Sequence, residues 1–374
     1  MTFRQFDTTL TGEKITAQKS FAKREQNVLS AIIEEHLATG EPVGSKTLAE
    51  KFARISGMSA ATIRNVMSEL EEAGFVVQPH TSAGRIPTDK GYRFYVDNLL
   101  GVLPISNEDY RLINSELGFS PQDSSIEPEK LLEKTSQLLS ILSNNVGIVI
   151  SPSLEADCLQ HIKFVNLADK RILVILVSSQ HQIHQKIVRL DSSLTQDELD
   201  RISNYLNTEF SGKSLAAIRQ NILVKMHEER AVFDKHLQTA MILCSESLTN
   251  DDATADIYIG GASNIVDKPD FSTDLAKLRE LLRTIEEKSR LVQILNECIK
   301  RNLDIRGGVN VIIGGENSSP SLQNCALITA PYRFGAPTNA VGTLTVLGPT
   351  RIEYARLIAI VSYLANLFEK ISVS

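Results

Sequence analysis

The sequence predicts an α+β protein of several domains, with a winged helix-turn-helix at its N-terminus. Its 374 residues exceed one ordinary domain and can bury two or three hydrophobic cores. Near the N-terminus, three short amphipathic helices precede a strand, a polar loop and a second strand, which is the element order of a winged helix-turn-helix. Further along, strands give way to a helical block and then return. This pattern indicates one α+β domain interrupted by an insertion.

Each of the three N-terminal helices has a sequence signal for its start or its end. Apolar side chains recur at helical spacing from Lys23 onward, and Gly40 can adopt the left-handed conformation that ends a helix. A second helix is predicted to begin with Ser45 as its N-cap, and a third to run from an N-cap at Ser59 to Gly74. The stripe expected to be buried on this third helix consists of Ile63, Val66, Met67 and Leu70.

These patterns divide the chain into four parts. Residues 1–22 are polar and aperiodic, so we expect a flexible extension there. Residues 23–100 form the predicted DNA-binding head, residues 101–153 and 251–374 the α+β domain, and residues 154–250 the insertion. Within the α+β domain, the apolar periodicity predicts one long helix over 272–299.

Charge is distributed unevenly along a chain whose net charge is −6. Residues 1–100 contain 12 Lys/Arg and 12 Asp/Glu, so the remaining 27 Lys/Arg and 33 Asp/Glu carry the whole acidic excess. Contact with phosphate depends on where the cations lie and not on the average over the chain. A neutral head on an acidic body therefore permits DNA binding.

The sequence carries no motif for a metal ion, a cofactor or a membrane span. Its four cysteines are far apart, with no C-x-x-C pair and no histidine at zinc-finger spacing, so we expect thiols in a reducing compartment. Two histidines, His181 and His184, lie three residues apart in a predicted strand and would point to opposite faces. No signal-type segment or apolar run of about 20 residues occurs, which predicts a cytoplasmic protein.

The polar face of the third helix is the candidate reader of DNA sequence. Arginine can bond both acceptors of guanine, and asparagine can bond the paired groups of adenine, in the major groove. The predicted base-reading residues are Thr62, Arg64, Asn65 and Ser68. The alternative is an ordinary solvated helix face, and this helix by itself does not decide between the two.

The stretch QPHTSAGRIPTDKGYR, residues 78–93, is the candidate wing. Pro79, Ser82 and Gly84 are turn residues, and Thr88 can cap a fourth helix. Cations and hydroxyl donors cluster here, as phosphate contact requires, whereas an ordinary polar hairpin would not concentrate them beside a helix-turn-helix. The predicted phosphate contacts are Ser45, Lys46, His80, Thr81, Arg85, Lys90 and Arg93.

Several segments together resemble the HrcA family, the heat-inducible repressors of bacterial chaperone operons. They are TGEPVGSKTL, SAATIRNVMSELEEAGFVVQPHTSAGRIPTDKGYRFYVD, GASNIVDKPDF, IGGEN and LGPTRIEYARLIAIV, and they extend from about Lys23 to near the C-terminus. The resemblance implies a winged-helix head, a GAF-like domain and a dimerisation domain inserted into it. It further implies a homodimer on an inverted-repeat operator of the CIRCE type, with the chaperonin GroEL favouring the active repressor.

An inverted repeat requires two heads held at a fixed separation, which a two-fold dimer supplies. An apolar seam within the insertion is the candidate dimer contact, although such a stripe also suits the core of a single domain. The seam consists of Phe233, Leu237, Met241 and Leu248.

Two other functions remain open from the sequence. The α+β domain could receive a metabolite, in which case the protein would be a metabolite-responsive regulator with the same head. The chain could also be an enzyme with a regulatory head, but IGGASN, IGGEN and LGPTR match no phosphate-binding fingerprint, and no catalytic arrangement can be assigned. A non-enzymatic repressor that needs no cofactor fits the residues best.

Overall fold

The chain separates into two compact units, Met1–Leu99 and Leu100–Ser374. The computed structural model describes residues 23–53, 57–101, 104–118, 128–152, 158–167, 169–178, 183–189, 194–215, 217–218, 221, 256–272, 274–301, 308–333 and 341–370. The predicted extension at residues 1–22 lies outside this part of the chain. Among the described helices, none combines the length and apolar character needed to cross a bilayer.

The first unit, here called the head, packs three helices against a small hairpin. Its elements are α1 (Lys23–Thr39), α2 (Ser45–Ala53), α3 (Ala60–Glu72), β1 (Val76–Val77), β2 (Ile86–Pro87), α4 (Asp89–Phe94) and a π-helical turn (Tyr95–Leu99). Strands β1 and β2 pair antiparallel, with Val76 opposite Pro87. The predicted stripe of α3 is buried, as are Val28 and Ile32 of α1, so the amphipathic pattern is confirmed for both helices.

The caps of the head follow the sequence with one shift. The Ser59 side chain accepts the Thr62 N–H and caps α3, and the Thr88 side chain accepts the Gly91 N–H and caps α4. Both N-cap predictions are confirmed. Ser45 is instead the first residue of α2, and the Gly44 carbonyl that precedes it accepts the Leu48 N–H at 3.3 Å.

The second unit, here called the body, is mixed α and β, and its described residues form two antiparallel sheets. Its helices are α5 (Asn107–Leu117), α6 (Pro128–Ser143), α7 (Gln196–Phe210), α8 (Pro269–Ser272), α9 (Leu275–Glu286), α10 (Lys288–Arg301) and α11 (Tyr354–Lys370). Its strands are β3 (Val146–Ile150), β4 (Leu159–Leu167), β5 (Arg171–Ser178), β6 (Ile183–Arg189), β7 (Ile257–Gly260), β8 (Asn310–Ile313), β9 (Cys325–Tyr332) and β10 (Gly342–Pro349).

The larger sheet has five strands in the order β7-β3-β10-β9-β8 and carries helices on both faces. Alternate residues of its strands, such as Ile148 and Leu327, form one core with α9 and α10. On the opposite face, α6 packs on β3 and α11 on β9, where the rings of Tyr332 and Phe368 lie 4.7 Å apart. The sheet is therefore the middle layer of a sandwich of helices.

The smaller sheet, β4-β5-β6, is formed by chain that leaves the larger sheet after β3 and returns at β7. Strands β3 and β7 are direct neighbours, with Gly147 opposite Gly260. Helix α7 covers one face of the smaller sheet, and a separate core that includes Phe164 and Phe210 lies between them. The excursion thus has its own hydrophobic core.

The prediction of a single helix over 272–299 is wrong in one respect, because the structure has two helices there. Helices α9 and α10 meet at Glu287, whose backbone leaves the helical conformation with ψ 75°. The Glu287 carboxylate accepts hydrogen bonds from Arg283 at 2.9 Å and Arg290 at 3.4 Å, one from each helix. Both helices bury apolar residues in the same core, and so their joint periodicity hides the break.

Candidate nucleic-acid interface

Helix α3 presents a polar face to solvent opposite its buried stripe. Arg64, Asn65 and Ser68 are exposed, and Thr62 is half-buried. The Thr62 hydroxyl lies 3.0 Å from that of the cap Ser59, and the Ser68 hydroxyl donates to the Arg64 carbonyl at 3.1 Å. Arg64 and Asn65 make no side-chain hydrogen bond or ion pair within the described part of the chain. These two side chains are therefore available to an external partner.

The tip of the β1–β2 hairpin, residues 78–85, is organised by one side chain that sequence reasoning missed. The Gln78 side-chain amide donates to the Thr81 carbonyl at 3.0 Å and to the Ala83 carbonyl at 2.9 Å. A backbone bond from Ala83 N–H to the His80 carbonyl at 2.9 Å closes the turn. His80 and Thr81 are thereby held exposed on an ordered loop. No sequence signal marked this role, because glutamine is not among the characteristic turn residues.

Arg85 anchors the hairpin to the rest of the head. Its guanidinium pairs with the Glu71 carboxylate at 2.8 Å, and its side chain is only 16% exposed. Glu71 also accepts the Gln78 N–H at 3.1 Å, so one carboxylate holds both strands of the hairpin to the last turn of α3. The Arg85 backbone exchanges two 2.9 Å hydrogen bonds with Val43. The sequence patterns alone gave Glu71 no role.

Lys90 and Arg93 also have partners within the head. The Lys90 ammonium donates to the Ala73 carbonyl at 2.8 Å and lies 4.5 Å from the centre of the Phe75 ring. It thus satisfies a carbonyl at the end of α3 and makes a cation–π contact. Arg93 forms an ion pair with Asp97 at 3.3 Å, one turn along the helix.

The predicted phosphate contacts consequently fall into two groups. Lys46, His80 and Thr81 are exposed, and Ser45 is half-buried at the start of α2. The second group bonds carboxylates, carbonyls or rings inside the head and consists of Arg85, Lys90 and Arg93.

The predicted dimer seam at Phe233, Leu237, Met241 and Leu248 lies outside the described residues. Over the part of the chain that is described, no three or more His, Cys, Asp or Glu side chains are grouped so as to hold a metal ion. Burial raises the pKa of the Cys325 thiol to about 12, so this cysteine is neutral and unreactive at physiological pH.

Comparison with known proteins identifies relatives along nearly the whole chain. A family model described as the HrcA protein C-terminal domain matches residues 129–358. A heat-inducible transcription repressor HrcA of Geobacter sulfurreducens is 40% identical over 350 residues, which cover 94% of this chain and 98% of the relative. A repressor of the same name from Methylobacillus flagellatus is 38% identical, with 92% and 96% covered.

One solved structure supports the fold. A crystal structure of a hypothetical protein superposes with a TM-score of 0.53 at 21% identity and covers 94% of this chain and 98% of its own. The relatives of this mixed α and β chain are named repressors, and its head exposes a polar helix face beside an ordered hairpin. The chain is therefore in the class of transcription repressors. Within that class, the chain belongs to the HrcA family of heat-inducible transcription repressors.

Proposed function

We propose that this protein represses heat-shock chaperone operons by binding a CIRCE-type inverted repeat as a homodimer. The head acts as a winged helix-turn-helix, the five-stranded part of the body as a GAF-like domain, and the excursion with β4–β6 as the dimerisation domain. Heat stress inactivates the repressor, and the chaperonin GroEL assists recovery of its active form. The protein acts in the cytoplasm as a non-enzymatic regulator.

The observation that carries this proposal is the exposed pair Arg64 and Asn65 on α3. The opposite face of this helix is buried in the core of the head, so packing fixes the direction in which both side chains extend. An arginine and an asparagine at adjacent positions can form hydrogen bonds with a guanine and an adenine in the major groove. Thr62 and Ser68 flank them with hydroxyl groups that serve either base.

Direct phosphate contacts are assigned to the exposed Lys46, His80 and Thr81 and to the half-buried Ser45. Lys46 and the loop tip would contact the DNA backbone, which positions α3 without reading sequence. Arg85 instead supports the hairpin, Lys90 bonds the end of α3, and Arg93 pairs with Asp97 of the π-helical turn. This assignment narrows the expectation from sequence, in which all seven residues contacted phosphate.

The deciding experiment is a gel-shift titration of the full chain on a CIRCE-type duplex and on a scrambled duplex of equal length. We expect preference for the inverted repeat, a steep loss of affinity with salt, and a stoichiometry of two chains per duplex. Addition of GroEL should increase the fraction of chains active in binding. Equal affinity for both duplexes, or one chain per inverted repeat, would overturn the proposal.

A further inference from the structure

Helix α5 is the first element of the body after the head. Residues 100–106 connect the last turn of the head to its first residue, Asn107. Seven residues extend at most about 25 Å, since each spans roughly 3.3–3.6 Å. Residues 100–106 are here called the tether of the head. The contacts that hold α5 therefore determine where this tether is attached to the body.

A buried carboxylate ties α5 to the C-terminal helix α11. Arg356 donates from Nη2 to Asp109 Oδ1 at 2.8 Å and from Nε to Asp109 Oδ2 at 3.0 Å. Ser106, the N-cap of α5, donates its hydroxyl proton to Asp109 Oδ2 at 2.8 Å and accepts the Asp109 N–H at 3.0 Å. The Asp109 side chain is only 4% exposed, whereas that of Arg356 is 47% exposed. The carboxylate thus has three donors around it and little contact with water.

Two further contacts lie about two turns along α11. The rings of Tyr110 and Tyr363 meet edge to face with centroids 5.6 Å apart, and Asn114 donates to the Tyr363 hydroxyl at 3.3 Å. Ile113 and Leu117 of α5 are buried, but apolar burial is non-directional and tolerates sliding. A charge-assisted, bidentate ion pair does not tolerate sliding, because displacement of α5 would leave a buried carboxylate without its partner. The Asp109–Arg356 pair therefore fixes the register of α5 on α11.

We infer that Asp109 and Arg356 are positioning residues for operator recognition, which hold the start of the tether so that the two heads of a dimer match one half-site separation. This inference rests on the proposed function. With α5 anchored, each tether reaches about 25 Å; a released α5 adds roughly 16 Å at 1.5 Å per residue. The reach of each head thus rises to about 40 Å, and a longer tether spreads the second head over more positions, so a dimer with released heads would discriminate less between correctly and wrongly spaced half-sites.

The test measures spacing preference with the full chain. Fluorescence anisotropy gives affinities for a CIRCE-type duplex, for the same duplex with about 5 bp added to the spacer, and for a single half-site. In Arg356→Gln and Asp109→Asn we expect half-site affinity within about twofold of the unsubstituted chain. The preference for the correct spacer should fall at least about fivefold, because release of α5 lengthens the tether and lowers the effective concentration of the second head at the correctly spaced half-site. Arg356→Lys keeps the charge without the fork and should give an intermediate preference.

Arg351→Gln is the matched control. Arg351 forms a comparable two-point pair with Asp270, at 3.1 Å and 3.3 Å, in the same unit but between a loop and α8 and not with α5. This variant should keep the spacing preference. Asn114→Ala, which removes one bond to Tyr363, should shift the preference in the same direction by a smaller factor and serves if the charge variants fail to fold.

The outcomes separate the two proposals. If the unsubstituted chain prefers the inverted repeat but folded Arg356→Gln keeps the full spacing preference, the positioning role is wrong and the repressor function stands. The same conclusion follows if half-site affinity falls as much as that for the full repeat. An unsubstituted chain that binds scrambled DNA equally well overturns both.

Discussion

At the scale of single residues, the cations of the head that cluster in sequence have different roles in the structure. Arg64 and Lys46 extend to solvent from α3 and α2, whereas Arg85 and Lys90 bond groups of the head itself. The sequence shows where the cationic residues are but not what they bond, because the partner can be a carboxylate or a carbonyl distant along the chain. Substitution of Arg64 and of Lys46 therefore tests whether the exposed cations face DNA.

Arg64→Ala should weaken operator binding by roughly 1–3 kcal/mol and leave scrambled duplex nearly unaffected, because a base-reading contact is lost. Lys46→Ala should weaken both duplexes alike and reduce the salt slope by about one, because a phosphate contact is lost. Anisotropy titrations across salt distinguish the two patterns. Equal preference in Arg64→Ala and the unsubstituted chain would disprove base reading by this residue.

Glu71→Ala should loosen the hairpin, because it removes the acceptor for both the Arg85 guanidinium and the Gln78 N–H. We expect a local free-energy loss of about 1–3 kcal/mol, seen as faster amide exchange at Ala83 and Arg85. The neighbouring exposed acid supplies the control, and Glu72→Ala should leave these amides unchanged. A double-mutant cycle with Arg85→Ala should give a coupling of about 0.5–3 kcal/mol, and additivity would exclude the pair as an anchor.

At the scale of elements, the hairpin depends on backbone packing that only a glycine allows. A Cβ atom at Gly84 would lie 2.3 Å from the Val43 carbonyl oxygen, and one at Gly91 would lie 2.2 Å from that of Phe75. Both neighbours are backbone atoms, so neither can rotate away. The sequence predicted Gly84 as a turn residue, whereas the structure shows that its lack of a side chain allows the hairpin backbone to approach Val43.

Gly84→Ala should therefore separate the hairpin from Val43 and destabilise the head by about 1–3 kcal/mol, as overpacking does. Gly44→Ala is the control, because an added Cβ there meets only the Thr47 side chain at an ordinary 3.8 Å. Denaturant unfolding monitored in the head, together with DNA affinity, checks the prediction. Equal stability of the two variants would show that the close approach is not required.

At the scale of the whole molecule, stability of the body should depend on the ionisation of one buried acid. Hydrogen bonds from Arg356 hold the pKa of Asp109 below its ordinary value. The same bonds raise the pKa of Arg356, whose guanidinium also contacts the Glu353 carboxylate at 3.4 Å. A depressed acid pKa contributes stability above the unfolded value of about 4, and this contribution is lost as pH falls through the lower folded value.

The unsubstituted body should accordingly lose more unfolding free energy between pH 7 and about pH 3 than Asp109→Asn, in which this carboxyl group is absent. Urea unfolding at several pH values, followed by a probe in α11, measures the difference. Glu353→Gln controls for the exposed carboxylate beside Arg356 and should retain the pH dependence. Identical pH profiles for the Asp109 variant and the unsubstituted chain would exclude this contribution.

Sequence by itself determined the parts of this protein that depend on local chemistry. Helical periodicity located α1 and the buried stripe of α3, cap residues located the starts of α3 and α4, and the quoted segments identified the HrcA family. Those signals are carried by residues within a few positions of each other, where backbone geometry links them directly. The exposure of Arg64 and Asn65 follows from the same periodicity.

Only the tertiary structure decided the pairings between distant segments. Glu71 with Arg85, Lys90 with Ala73 and Asp109 with Arg356 all join residues that no periodic pattern connects. The adjacency of β3 and β7 belongs to the same class. Packing brings these groups together, and a buried charge or carbonyl then takes whichever partner the fold supplies. That is why the sequence predicted a basic wing, while the fold showed which of the cations in that stretch bond groups of the head itself.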